Sequence, residues 1–163
     1  MNKRLLIVFT VLISLFPLVF AQNNSKTVVT IEQAMETHYS QNEQTGADII
    51  ELKGEVIMSV SQDASKSIIY ADFVRFERGN NMLYAEGNVI LERQTGSQNE
   101  TLTAETLLFN TNTQEGVFDQ GRVIQEQSDT LNLPSGSTLV VSSDMFAKDD
   151  SGTITFKDGV ITF

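Results

Sequence analysis

The 163-residue chain has no cysteine and no tryptophan, two prolines and a single histidine. Without cysteine there is no disulfide framework, no thiolate nucleophile and no thiolate metal site. The lone imidazole, His38, has no second histidine or cysteine to share a metal with, and reads as a surface residue. No glycine-rich phosphate loop, Walker lysine or nucleophile elbow occurs. The segment Asp144 to Asp158 lacks the alternating carboxylates and turn glycine of a calcium loop. The sequence is therefore read as a non-enzyme with no cofactor and no metal. Positive charge is also scarce, with 11 Lys and Arg against 21 Asp and Glu, a net −10. Such a chain repels phosphate backbones, so nucleic acid is excluded as a partner, as is adhesion to anionic headgroups.

What is present is a composition for one well-cored domain: 40 % apolar and 20 % charged residues. Thr, Val and Ile are plentiful, which favours strands. The N-terminus carries Lys3 and Arg4, then an apolar run from Leu5 to Phe20 broken only by Thr10, Ser14 and Pro17, then Val19-Phe20-Ala21. This is the pattern of a secretory signal peptide, residues 1–21, cleaved after Ala21. A retained membrane anchor is the other reading, although the run is short for a spanning helix. Loss of Lys3 and Arg4 takes the net charge from −10 to −12. The expected compartment is the periplasm, with possible association with the outer membrane.

Residues 22–46 read as a flexible or loosely packed segment. Within it the pattern from Thr27 to His38 is ambiguous, and Thr30 and Gln33 resemble a capping box, which fits a short helical turn there. From Ala47 the sequence repeats. Gly54-Glu55-Val56, Gly87-Asn88-Val89 and Gly121-Arg122-Val123 mark one point three times, the glycines 33 and 34 residues apart. A second marker interleaves: Tyr70-Ala71-Asp72-Phe73-Val74-Arg75-Phe76 matches Thr103-Ala104-Glu105-Thr106-Leu107-Leu108-Phe109, with a weaker copy at Ser142 to Phe146. Lys157-Asp158-Gly159-Val160 echoes the glycine marker again. Two interleaved markers at a fixed period are the signature of a repeated supersecondary unit.

Each half-period reads as one strand. Ile50, Leu52, Gly54, Val56, Met58 and Val60 alternate with mostly polar neighbours, as do Leu83, Ala85, Gly87, Val89 and Leu91. Alternation gives one wet and one buried face. Turn residues at Gly79-Asn80-Asn81, Gly96-Ser97 and Asn110-Thr111-Asn112 imply about seven or eight antiparallel strands. The Ala-acid strands alternate less cleanly, through either two partly apolar faces or a bulge that switches the phase. A glycine at one register of three strands weakens each by about 0.5–1 kcal/mol relative to alanine. It marks either a bend in a folded-over sheet or a floor kept low for a ligand.

The run Tyr84 to Leu91, followed by Leu102 to Phe109, resembles the OstA-type module of lipopolysaccharide-transport proteins, found in LptA and in the periplasmic domain of LptD. The resemblance covers residues 47–163. It implies an all-β, antiparallel OstA-type β-jellyroll (a β-taco) of repeated strand pairs of about 33 residues. It also implies an apolar groove for the acyl chains of lipopolysaccharide or a related glycolipid. The partners implied are other Lpt-type periplasmic and outer-membrane components, with head-to-tail self-association of modules. Extra residues after Gln127 depart from the pattern, and both a bridge protein and the leading domain of a longer assembly protein fit. The expected groove residues are Ile50, Leu52, Val56, Met58, Val60, Leu83, Val89, Leu91, Val117 and Val123. The expected docking edge is Ile154, Phe156, Val160 and Phe163. The rival function is a structural or adhesive surface β-repeat protein without a ligand. An open apolar cleft favours the first, a fully packed interior the second.

Overall fold

A computed structural model of the protein describes residues 26–96, 98–126, 138–148, 153–157 and 159–162. The signal-like segment 1–21, the extra residues after Gln127 and Phe163 lie outside these. The described residues form ten strands and no helix: β1 (Val28–Gln33), β2 (Glu36–Gln41), β3 (Asp48–Gln62), β4 (Ser65–Glu77), β5 (Met82–Thr95), β6 (Gln98–Asn110), β7 (Gly116–Glu126), β8 (Thr138–Lys148), β9 (Ile154–Lys157) and β10 (Val160–Thr162). They make one antiparallel sheet in the order β1-β3-β4-β5-β6-β7-β8-β10, with β2 also on β3 and β9 also on β8.

The sheet begins at Val28, upstream of the expected boundary at Ala47. The helical turn considered around Thr30 is strand. Val28, Val29, Thr30 and Ile31 are β-branched, and pairing with Met58–Ser61 of β3 satisfies their backbone better than one isolated turn could. Between β1 and β2 the Met35 amide donates to the carbonyls of Lys53 and Gly54, at 3.0 and 3.1 Å. The stretch between β2 and β3 is loop, held by Asn42 Oδ1, which accepts from the amides of Gln44 and Thr45 at 2.9 and 3.2 Å. The strand count exceeds the expected one because each sheet edge is split into two short strands.

The six inner strands are 11–15 residues long, about twice the usual length, and each turns a corner midway. At the corner, Gly54 and Glu55 have φ of +73° and +46°, and Gly87 and Asn88 have +78° and +49°. Two successive left-handed residues bend the strand sharply, and the first can be adopted without strain only by glycine. The register confirms a bulge: Lys53 faces Phe73 but Val56 faces Ala71, and Glu86 faces Thr106 but Val89 faces Ala104, so β3 and β5 each carry one extra residue. On β7 the left-handed residue is Gln120, φ +50°, beside the third marker glycine. The repeated glycine is thus the corner of a folded-over sheet.

The Ala-acid strands take the same corner by switching phase. Ile69 and Ala71 face inward, then Val74 and Phe76; Leu102 and Ala104, then Leu107 and Phe109; Val141 and Ser143, then Phe146 and Lys148. The acid and its successor lie between, at the crease. The crease divides the sheet into a lower half (β2, residues 48–53 of β3, the partners carried across to β8, and β9) and an upper half (β1, residues 56–62 of β3, their partners, and β10). Inward residues of both halves, such as Leu52, Val74 and Leu83 below and Met58, Ile69 and Leu102 above, are fully buried in one cluster. With no helix among the described residues, only the opposite half of the sheet can cover them.

Candidate functional site: the interior and its seam

The interior is what the alternating faces build. Of the ten expected groove residues, Leu52, Val56, Met58, Val60, Leu83, Val89, Leu91 and Val123 are buried to within 2 % exposure. Ile50 is half-buried against the cluster. Val117 is a correction: it faces outward, 43 % exposed. Below the corner at Gln120, β7 switches phase, so Gly116 and Phe118 are the buried positions there and Val117 is not. The sequence reading also missed the Ala-acid strands' contribution, including Phe109, Phe146 and Leu107. Their signal was present as apolar positions spaced i, i+2, i+5, i+7. The largest pair, Phe118 and Phe146, stacks at 4.6 Å with planes 9° apart.

The lips opposite the crease are polar. Ser67 of the upper half donates to Gln114 Oε1 in the turn below β6, at 3.3 Å, and Gln114 Nε2 donates to the Thr111 carbonyl at 3.0 Å. Lys148, at the lower end of β8, forms an ion pair with Glu100, near the upper end of β6; their side chains are only 8 % and 12 % exposed. Thr27 donates to Asn112 at 3.3 Å across the same gap. Toward the N-terminal edge the halves stand apart. There a cleft of about 330 Å³ opens between Thr27, Val29 and Ile31 of β1 and Ile50, Phe76, Arg78, Asn81 and Thr111 below. That volume is at the lower end of small-ligand sites, roughly 300–1,000 Å³.

Of the expected docking residues, Ile154, Phe156 and Val160 occupy the opposite sheet edge, and Phe163 lies outside the described residues. Ile154 packs partly on the cluster, Phe156 stands opposite Phe146 in register, and Val160, 65 % exposed, stands opposite Ser142. The edges are alike: each has a short strand in either half, β1 and β2 at one end, β10 and β9 at the other. His38 lies exposed on β2, and no described group of His, Cys, Asp or Glu has the arrangement of a metal site. On the outer face two tyrosines are held above the ordinary phenol range. Desolvation raises Tyr70, helped by the charge of Glu92 and the hydrogen bond to it; desolvation and then the bond to Glu86 raise Tyr84. A hollow of about 400 Å³ on that face is floored by Leu108 and Val117, outside the interior.

No protein-family model matches the chain, and no curated protein matches it. Its shape does match a solved structure: LptH from Pseudomonas aeruginosa, described as the LptA-homologous periplasmic component of the lipopolysaccharide transport device. The match has a TM-score of 0.59 at 13 % identity, covering 85 % of this chain and 95 % of that one. One antiparallel sheet, creased along a line of bulges and closed on its own apolar face, therefore gives this protein an LptA-like β-jellyroll fold.

Proposed function

We propose that the protein is an exported periplasmic module that shields the acyl chains of a lipopolysaccharide-like glycolipid between the halves of its sheet. The observation that carries this reading is the interior itself: an apolar surface shared by two half-sheets that are covalently joined at the crease and, among the described residues, meet at the lips through side-chain contacts. Parting the lips exposes a continuous apolar trough without breaking the sheet. The fold shared with a lipopolysaccharide-transport component supports the same ligand class. An acyl chain in water costs about 0.8 kcal/mol per methylene, so a chain of about fourteen carbons costs on the order of 10 kcal/mol. Shielding on that scale is what a carrier has to supply. The cleft at Val29, Ile31, Ile50 and Phe76 is the natural entrance, because it already joins solvent to the cluster.

Transfer between modules would run edge to edge, β9 and β10 of one copy or Lpt-type partner against β1 and β2 of the next. Among the described residues no strand pairs on the outer side of either edge, in either half, so a neighbouring module could continue the trough across the joint. No catalytic step is part of this reading. The close packing of the interior favours the rival reading, a structural surface repeat that never opens. The test that separates them is lipid crosslinking to the exported protein with Arg at Leu91, a residue 1 % exposed. A charge there is expected to cut the yield of crosslinked lipopolysaccharide by tenfold or more. An unaltered yield, in a variant that still folds, contradicts a trough at that position.

A further inference from the structure

The ion pair at the lips has a second partner built beside it. Glu100 stands directly across from Arg93 in the β5–β6 register, in the same half of the sheet. Arg93 follows Leu91 on the inward phase of β5, and its buried Nε has no hydrogen-bond partner. Glu100 instead reaches over the gap to Lys148 in the other half. An almost buried ion pair that loses one partner leaves a charge uncompensated, which strongly opposes separation. A neighbouring guanidinium that can take the freed carboxylate removes that obstacle.

From this we infer that Glu100 is a two-position latch: bound to Lys148 it holds the halves together, and bound to Arg93 it lets them part. The inference rests on the carrier reading for its purpose, but the latch itself is a statement about the lips. It makes opening a discrete exchange of partners. Ser67 and Gln114, the neighbouring contact across the gap, separate with it. The crease, held by backbone pairing, stays intact.

The absence of cysteine gives a clean probe. Ser67→Cys places one thiol, nearly isosteric with the serine it replaces, at a fully buried position by the lips; Ala85→Cys places one at a fully buried position near the crease. Thiol-labelling rates on the full chain report opening at each place. In the Ser67→Cys background, Glu100→Lys and Lys148→Glu are each expected to raise the rate at least tenfold, and the exchanged pair E100K/K148E, which restores the closed ion pair but cannot pass to Arg93, to bring it back to the starting rate or below. Arg93→Gln is expected to slow it several-fold, since the open position of Glu100 is lost. Labelling at Ala85→Cys should stay unchanged throughout. Equal acceleration at both thiols, or no acceleration at Ser67→Cys, overturns the latch, as does an exchanged pair that labels as fast as either single change. Should the repulsive variants not fold, E100Q and K148Q carry the same expectation at a few-fold level. Uptake of a fluorescent alkyl probe is measured in parallel. Labelling that responds without probe uptake in any variant keeps the latch and refutes the carrier reading.

Discussion

The crease and the lips close the same molecule by different means. The crease is written in the backbone: paired left-handed residues at Gly54-Glu55 and Gly87-Asn88, a bulge on each strand, and ladder hydrogen bonds continuing on both sides. The lips are written in side chains: Glu100 to Lys148, Ser67 to Gln114, Thr27 to Asn112. A backbone corner cannot open without unpairing strands, whereas side-chain contacts can exchange. The comparison therefore says which side is the hinge and which is the door.

Breaking the crease should cost most. A Cβ built on Gly121 would lie 2.0 Å from the Phe146 ring, which is itself stacked on Phe118 and cannot move aside. Gly121→Val is expected to destabilise the fold by about 3 kcal/mol through overpacking, read as a lower denaturant midpoint with little change in slope. The lips should yield less. Lys148→Met leaves Glu100 without its ion-pair partner, yet Arg93 is at hand and the carboxylate keeps some solvent contact. A loss of about 2 kcal/mol is expected, below that of breaking a fully buried pair. If Lys148→Met cost more than Gly121→Val, the assignment of hinge and door would be reversed.

The same contrast explains what was legible in the sequence. The crease recurs, so its glycines stood out at intervals of 33 and 34 residues, and the alternation of Leu52, Val56, Met58 and Leu91 gave their buried face directly. Val117 went wrong because a phase switch moves every residue on one side of it to the other face, and β7 hides its switch at Gln120 instead of at the marker glycine. The first strand was obscured by a capping-box pattern that its β-branched neighbours and its pairing with β3 override. The lips were invisible. Glu100 and Lys148 are 48 residues apart, neither residue type recurs at its point in the repeat, where Ser67 and Phe76 stand in the first copy, and the folding of the sheet brings them together.

The claim at the centre is that the space between the half-sheets is where lipid travels. Leu91 and Ile90 are neighbours on β5 with opposite outlooks, one 1 % exposed toward the interior and the other 36 % exposed outside. A small diazirine amino acid placed at each in turn, followed by illumination with lipopolysaccharide, tests the claim most directly. The account predicts lipid adducts from position 91 and essentially none from position 90. Adducts at 90 alone, or at neither position in the folded protein, would contradict it.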